Sequence, residues 1–220
     1  MKNLVIFGAG QSAEVAHFYF TQDSPYDVVA FAADKEFITQ DMLFGLPVVP
    51  FEDVEANCPP EAHDLFVAVT YTGLNKVRAA KVSEAQAKGY TCASYVSSRA
   101  TTWPGLKHGS NCFILEDNTI QPHVTIGENV WLWSGNHIGH HTVIEDHVYI
   151  ASHAVISGAV TVGANSFIGV NATLRDNIRI GRENVIGAGA LILKDTDDFA
   201  VFKGAASQPA KITSDKLRGI

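Results

Sequence analysis

Residues 121–150 read QPHVTI GENVWL WSGNHI GHHTVI EDHVYI, and each group of six ends in isoleucine or leucine. The same phase extends from Ile114 to Ile192, where all fourteen positions spaced six apart hold Ile, Leu or Val. Ordinary amino-acid usage makes such agreement by chance negligible. A period of six matches neither the 3.6-residue turn of a helix nor plain strand alternation, so this repeat decides the fold.

Each six-residue unit fits a short strand followed by a tight corner. The aliphatic residue and the residue two before it, often a small one such as Asn136 or Ala154, are expected to point inward. A glycine often follows the aliphatic residue, as Gly139 does, and we expect it to provide a corner conformation that residues with a Cβ resist. Three strands would close one triangular coil, so the run predicts about four to five stacked coils.

The first hundred residues lack this repeat and alternate strands with helices. That order predicts a parallel sheet. The predicted elements are strands at Lys2–Phe7, Tyr26–Ala32, Gly45–Val49, Asp64–Thr70 and Tyr90–Val96, a helix that opens within residues 8–13 and runs to about Phe20, and a helix at Leu74–Lys88. We therefore expect two domains, residues 1–97 and residues 98–220.

A glycine-rich turn follows the first predicted strand. Gly8-x-Gly10-x-x-Ala13, with Asp34 after the second strand, fits the dinucleotide-binding fingerprint in the required strand–turn–helix context. The unit is too short for two mononucleotide-binding halves, so a complete nicotinamide site is not expected. A site that holds one nucleotide at a helix N-terminus fits better. A tight turn that only packs helix on sheet is the alternative.

Taken together, the GAG turn at 8–10, FAAD at 31–34, Asn75-x-x-Arg78 and the six-residue repeat resemble one known family. It comprises the hexapeptide-repeat nucleotide-sugar N-acetyltransferases and the sialic acid O-acetyltransferase-like proteins of bacterial surface-glycan pathways. The resemblance implies a half-Rossmann α/β domain followed by a left-handed parallel β-helix, although the usual crossover rule favours the right hand. It also implies a homotrimer with acetyl-CoA bound between neighbouring helices.

The resemblance further assigns the nucleotide-linked sugar to the first domain. In that family a turn contacts the diphosphate, and other residues border the same pocket. The corresponding residues here are Gly8, Gly10, Gln11, Ser12, Asp34, Thr70, Tyr71 and Arg78. Asp34 matches a carboxylate that reads the base or ribose, and Arg78 is a supporting residue. The chain departs from the family where Gln11-Ser12 replaces a common Gly-His pair and where Ala33 replaces an acid.

Six histidines lie within one stretch of the repeat, at positions 123, 137, 140, 141, 147 and 153. Their spacing and the lack of a cysteine or clear carboxylate among them argue against a metal site. By resemblance, His140 is the general base that takes a proton from the attacking amine. His141, which we assign with it to the catalytic site, stands where the family has an acid. Glu145 or Asp146 is a possible substitute partner, and so is a backbone carbonyl or a neighbouring chain. A packing histidine and His137 as the base are the alternatives.

The acyl donor contacts implied by the resemblance are Tyr149, Gly158, Val170, Ala188, Lys194 and Lys203. Tyr149 stands where the family often has a histidine near the thioester. Trp131 and Trp133 are expected to pack between subunits, with a stacking site as the alternative. Together with Tyr149 and Val155, these outward residues also favour a trimer.

The composition is consistent with this assignment and excludes others. A net charge of −7 gives no basic surface for nucleic acid, and no apolar run is long enough for a membrane span. The start has no signal peptide pattern, so a cytoplasmic protein is expected. Three cysteines without a CxxC motif indicate neither a disulfide framework nor a zinc site.

The predicted function is an acetyl-CoA-dependent, metal-free N-acetyltransferase for a nucleotide-linked amino sugar of the 4-amino-4,6-dideoxy type. Sugar O-acetylation and a non-catalytic β-helix scaffold are the alternatives. A hydroxyl is a poorer nucleophile than an amine and depends more on a base. The missing acidic partner of His140 therefore favours an amine acceptor over a hydroxyl.

Overall fold

The computed structural model describes residues 2–216, which form an α/β unit and a parallel β-helix. The sheet of the α/β unit has the order β3-β4-β2-β1-β5 and is parallel apart from the β3–β4 pair. Its elements are β1 Lys2–Phe7, α1 Gln11–Gln22, β2 Tyr26–Ala33, β3 Met42–Leu43, β4 Leu46–Pro50, α2 Val54–Asn57, β5 His63–Val67 and α3 Lys76–Ala87. Short 3-10 turns lie at Lys35–Phe37, Phe51–Asp53 and Ser214–Lys216.

The β-helix has three faces, each a stack of two-residue parallel strands. Face 1 holds β6 Tyr95–Val96, β8 Phe113–Ile114, β11 Trp131–Leu132, β14 Tyr149–Ile150, β17 Phe167–Ile168, β20 Val185–Ile186 and β22 Val201–Phe202. Face 2 holds β9 Thr119–Ile120, β12 His137–Ile138, β15 Val155–Ile156, β18 Thr173–Leu174 and β21 Leu191–Ile192. Face 3 holds β7 Lys107–His108, β10 Thr125–Ile126, β13 Val143–Ile144, β16 Thr161–Val162 and β19 Arg179–Ile180.

The corners are named by the faces they join. In the coil that starts at Trp131, corner 1/2 is 133–136, corner 2/3 is 139–142 and corner 3/1 is 145–148. Face 1 begins at Tyr95, which pairs with Phe113, so the helix starts earlier than predicted and has more coils than expected. The predicted strand Tyr90–Val96 is accordingly wrong. Only Cys92 bridges to the first sheet, through Leu65, before the chain enters the helix.

The corner conformation comes from a different residue than the glycine we expected. A positive φ of 52° to 78° recurs at every sixth residue from Asn111 to Gly189, three residues after each aliphatic position. Gly139 does not have a positive φ, but a Cβ on it would lie 2.5 Å from the backbone nitrogen of Gly158 in the next coil. Glycine is therefore required because the coils approach closely, and Asn and His are common at the left-handed positions that tolerate them.

The α/β unit covers face 1 of its own helix. The β-helix interior is filled by the buried aliphatic positions from Cys112 to Ile192. A second apolar cluster joins α1 and the sheet to the outward residues of face 1, including Phe113 and Trp131. The α2 and α3 helices pack on the opposite side of the sheet.

This packing corrects the expectation for the outward aromatic residues. Trp131 is 1% exposed and stacks with Phe66 of β5 at 6.0 Å between ring centroids. Trp133 and Tyr149 lie against the same cluster. Trp131 and Tyr149 are therefore buried within one chain rather than between subunits, Trp133 is half-buried, and Val155 is exposed. Across residues 2–216, the structure has no helix with the length and apolar character needed to cross a membrane.

Candidate active site

The turn between β1 and α1 is built for a close approach of backbone. Gly8 has a φ of +126° and donates its N–H to the carbonyl of Ala32 at 2.7 Å. A Cβ on Gly8 would meet the carbonyl oxygen of Ala68 at 3.0 Å. Only glycine fits both the conformation and the space, and this keeps the turn tight against β5.

The N-terminus of α1 opens beside this turn. Gly10 is the N-cap and provides no side-chain cap. The amides of Ala13 and Glu14 donate to the carbonyl of Gly10, whereas those of Gln11 and Ser12 have no acceptor among the described residues. Two free amides at the positive end of a helix are suited to a phosphate. We call the segment from Gly8 to Ser12 the cradle.

Asp34 lies after β2 near the cradle, but its carboxylate is already paired. Lys81 Nζ of α3 lies 2.8 Å from Asp34 Oδ1 and 2.8 Å from Glu84. These side-chain contacts raise the pKa of Lys81 above its ordinary value against an opposing effect of burial. Sequence analysis missed Lys81, because no motif links a helix position so far along the chain to Asp34.

Arg78 joins the cradle side of the α/β unit to the helix. It is fully buried and donates to Asn129 through Nε at 2.8 Å and through Nη2 at 3.0 Å. Its Nη1 donates to the carbonyls of Val69 and Thr70, and its guanidinium lies 4.9 Å from the ring of Trp131. Burial lowers the pKa of Arg78. Arg78 can therefore support the loop at Thr70, but it has no surface with which to touch a ligand.

Tyr71 and Tyr149 are in aromatic contact where the α/β unit meets the β-helix. Tyr71 is 49% exposed and lies edge-on to Tyr149 at 4.9 Å, while Phe167 stacks on Tyr149 at 5.5 Å. Burial raises the pKa of Tyr149. Tyr149 is beneath Tyr71, so the expected contact between Tyr149 and an acyl donor would require Tyr71 to move.

His140 stands exposed at corner 2/3. Its backbone N–H donates to Oε1 of Gln121 in the preceding coil at 2.8 Å, which fixes the corner. Its Nδ1 lies 3.1 Å from Nδ1 of His141, and its Nε2 has no partner among the described residues. The ring lies over Gly158, where a Cβ would come within 2.8 Å of Nε2. The open nitrogen can accept a proton from a substrate.

The other histidines have separate places. The ring centroids of His123 and His141 are 4.6 Å apart and the ring planes are tilted by 36°, so positions 123, 140 and 141 form one group at corner 2/3. His137 lies on face 2, and His147 and His153 occupy left-handed positions at the other two corners. Within residues 2–216 there is no group of three or more metal-ligating side chains able to hold an ion.

The two carboxylates considered as partners of His140 are engaged elsewhere. Glu145 accepts the backbone N–H of Ala164 at 2.9 Å, and Asp146 accepts that of Glu128 at 2.7 Å. Both hydrogen bonds connect corner 3/1 of this coil to corner 3/1 of an adjacent coil. His141 is therefore the side chain that contacts His140 Nδ1.

The residues expected to contact the acyl donor lie on two edges of the helix. Gly158 and Lys194 follow the line of corner 2/3, and Val170, Ala188 and Lys203 follow that of corner 1/2. Apart from Gly158, which is partly covered by His140, they are exposed. The two edges border face 2, whose outward residues include the exposed Val155 and Leu191.

The cradle and His140 lie on opposite sides of the helix. The α/β unit packs on face 1, and in a triangular coil corner 2/3 is opposite face 1. One chain therefore does not bring its own cradle to its own His140.

Comparisons with known proteins agree with this architecture. Residues 123–158 and 159–194 each match the family described as bacterial transferase hexapeptide (six repeats). No curated protein sequence matches the chain significantly.

Three solved structures illustrate the likeness. The acetyltransferase domain of PglB from Neisseria gonorrhoeae is 26% identical with a TM-score of 0.84, over 96% of this chain and 100% of that one. PerB from Caulobacter crescentus, solved with CoA and GDP-perosamine, is 21% identical with a TM-score of 0.80, over 91% and 93%. WeeI from Acinetobacter baumannii AYE is 19% identical with a TM-score of 0.79, over 93% and 97%.

These findings confirm the predicted family and fold class. Residues 123–194 match the model of the bacterial transferase hexapeptide family, and the whole chain has the half-Rossmann and left-handed β-helix architecture. The prediction that the chain is an enzyme of the acetyltransferase class is likewise confirmed.

Proposed function

We propose that the protein transfers an acetyl group from acetyl-CoA to the amine of a nucleotide-linked amino sugar. The observation that carries the proposal is the exposed ring of His140, with Nδ1 held by His141 and Nε2 open. The donor is supported by PglB, whose acetyltransferase domain is 26% identical to this chain and has also been solved with acetyl coenzyme A.

The proposed chemistry needs one base and one oxyanion donor. The amine attacks the thioester carbonyl, a C–N bond forms, the C–S bond breaks, and CoA leaves as the thiolate. Nε2 of His140 takes the proton that the nitrogen loses and can return it to the leaving sulfur. The backbone N–H of Gly158 has no acceptor among the described residues and lies beside the ring, so we assign it to the developing oxyanion. No metal is required.

The acceptor nucleotide is assigned to the cradle. The free amides of Gln11 and Ser12 suit a diphosphate. Asp34 and its ion pair with Lys81 suit recognition of the ribose or base, and Thr70 and Tyr71 border the same end of the sheet. The sugar is proposed to be of the 4-amino-4,6-dideoxy type, used in the cytoplasm for a bacterial surface glycan.

A complete site would need a second copy of the chain. Since one cradle and its own His140 lie on opposite sides of the helix, the cradle of a neighbouring copy has to supply the acceptor. We propose a homotrimer in which acetyl-CoA lies in the groove between helices. Gly158 and Lys194 of one edge would then face Val170, Ala188 and Lys203 of another, with the lysines near the phosphates of CoA.

The decisive experiment measures CoA release from acetyl-CoA against UDP-, dTDP- and GDP-linked 4-amino sugars, with product masses determined by mass spectrometry. A gain of one acetyl group on one nucleotide sugar is the expected result. Binding of acetyl-CoA without transfer to any amine would favour a hydroxyl acceptor instead. Binding of neither ligand would contradict the proposal and favour a scaffold.

A further inference from the structure

Helix α1 carries one exposed aromatic side chain, Phe18, which points away from the sheet. It is 61% exposed, and at 100° per residue it lies opposite Ala16 and Phe20, which are buried against the sheet. The sheet covers face 1, and α1 runs along corner 1/2, where Tyr19 donates to Glu116 at 2.7 Å. The side of α1 that carries Phe18 therefore borders face 2.

The axis of α1 runs along the axis of the β-helix. Asp23 accepts the backbone N–H of Ser98 in the first coil at 2.9 Å, and Tyr19, one turn earlier, donates to Glu116 in the second coil. One turn of α1 rises about 5.4 Å and one coil about 4.8 Å, so α1 ascends about one coil per turn. Phe18 thus lies near the height of the second coil, and the cradle, which begins α1 seven residues earlier, lies about 10 Å above it.

A cavity of about 310 Å³ lies at corner 2/3, between the first and second coils. Trp103 and Leu106 line it from the first coil, and Pro122 lines it from the second. Trp103 is 60% exposed, so the cavity presents an apolar surface that is costly to leave in water. The ring of His140 lies over Gly158, about two coil spacings, or about 10 Å, above the cavity.

The two separations are therefore equal and run in the same direction. Phe18 lies about as far below the cradle as the cavity lies below His140. Rotation about an axis parallel to the β-helices keeps every residue at its height along that axis. In a trimer with such an axis, Phe18 of one copy and the cavity of the next are at one height, and so are the cradle and His140.

We propose that Phe18 of one copy docks into the cavity at corner 2/3 of the next copy. The inference rests on the proposed function, which includes the trimer, and it names the contact that sets one copy's cradle against the next copy's His140. Phe18 and Trp103 would cover each other's exposed rings. No like charges oppose, because α1 has Glu14 and no lysine or arginine, whereas the residues that line the cavity include Lys107 and no acid.

The test joins α1 to the cavity with a short bis-maleimide cross-linker on the full-length protein. Phe18→Cys combined with Pro122→Cys places one thiol on α1 and one at the cavity, while the native Cys58, Cys92 and Cys112 are buried. Every copy in a closed ring contacts two neighbours, so we expect covalent trimers on denaturing gels. Each single variant should run as a monomer.

The matched control combines Phe18→Cys with Asp176→Cys. Asp176 is exposed and occupies the position equivalent to Pro122 three coils further along corner 2/3, about 14 Å away. The cross-linker is chosen to be shorter than this separation, so the control pair should run as a monomer. Cross-linking through Asp176→Cys instead of Pro122→Cys would place α1 at another height and overturn the docking.

A second variant measures what the contact contributes to assembly. Phe18→Asp leaves the fold of one chain intact, because the side chain is exposed, but puts a carboxylate against an apolar cavity. By light scattering over a concentration series, the concentration at which the trimer half-dissociates should rise at least about tenfold. Phe37→Asp, at another exposed phenylalanine of the α/β unit, should leave it unchanged.

Two failures can be told apart. A wild type that is a monomer overturns the trimer of the proposed function and the docking with it. A wild-type trimer whose Phe18→Cys, Pro122→Cys variant gives no cross-link, or whose Phe18→Asp and Phe37→Asp variants dissociate equally, overturns the docking alone.

Discussion

The Nδ1 atoms of His140 and His141 lie 3.1 Å apart, so one imidazole donates a hydrogen bond to the other. His141 can do this because its backbone has a φ of +59°, which turns its side chain back along the corner. Its ring is supported by His123, 4.6 Å away. The ring of His141 therefore fixes the tautomer of His140, a role that a carboxylate often has.

Replacing His140 tests the assignment of the base. His140→Ala removes the open Nε2 and should lower kcat about a hundredfold, the usual contribution of a positioned base, with little change in the KM for acetyl-CoA. Steady-state kinetics on the acetylated nucleotide sugar measures this. His137→Ala, which removes the alternative imidazole on face 2, should keep nearly full turnover. The reverse pattern would identify His137 as the base.

Replacing His141 tests whether it positions His140. His141→Asn keeps a residue suited to the left-handed corner but removes the ring that meets Nδ1. We expect kcat to fall about tenfold while both KM values stay the same, because only the orientation of the base changes. His141→Glu should recover most of the rate, since a carboxylate can accept the same hydrogen bond. A Glu variant as slow as the Asn variant would argue against the positioning role.

Gly158 and Gly139 should respond differently to alanine. A Cβ on Gly158 would meet the ring of His140, whereas one on Gly139 would meet backbone atoms of the next coil. Gly158→Ala is thus expected to lower kcat with little effect on Tm, because an exposed ring can move. Gly139→Ala should destabilise the fold by about 1–3 kcal/mol, because backbone cannot move aside. Thermal melts and kinetics on both variants separate the two effects, and equal loss of Tm would contradict this explanation.

Arg78 is expected to hold the two domains together. It is buried without a carboxylate partner among the described residues and instead donates to Asn129 and to the carbonyls of Val69 and Thr70. Arg78→Met removes the donor to the carbonyls of Asn129, Val69 and Thr70, and it should cost at least about 2 kcal/mol in the free energy of unfolding. Arg78→Lys should cost nearly as much, because one ammonium cannot reach both ends. Urea denaturation measures both, and a fully stable lysine variant would contradict the bridging role.

Most of the fold could be predicted because the repeat is local. The inward aliphatic positions from Ile114 to Ile192 follow from a six-residue count, and α1 and α3 lie close to the predicted segments. The burial of Trp131 and Tyr149 could not be predicted, because an outward residue does not show which surface covers it. The covering surface, around Phe66, comes from a strand far away in sequence.

The candidate site could be predicted only where its residues lie within a short sequence motif. The cradle and His140 follow from short patterns whose geometry is nearly local. The ion pair of Asp34 with Lys81 and the bond from Gln121 to His140 depend on packing between elements or coils, which leaves no signal in one sequence. The histidines at left-handed positions, such as His153, also show why a cluster in sequence need not be a cluster in space.

His147 makes the domain junction sensitive to pH. It lies at corner 3/1, where burial lowers its pKa below the ordinary 6.5, and Asn129 donates to its Nδ1 at 3.1 Å. Below about pH 6.5 the unfolded chain therefore binds a proton that the folded chain resists, so stability falls as the pH decreases. His147→Asn should reduce this fall, because asparagine already occupies the same corner position at 129 and 165. Urea denaturation at about pH 7.5 and 5.5 measures the difference. His153→Asn, at an exposed corner, controls for the loss of a histidine as such, and an equal effect of both variants would contradict the assignment to His147.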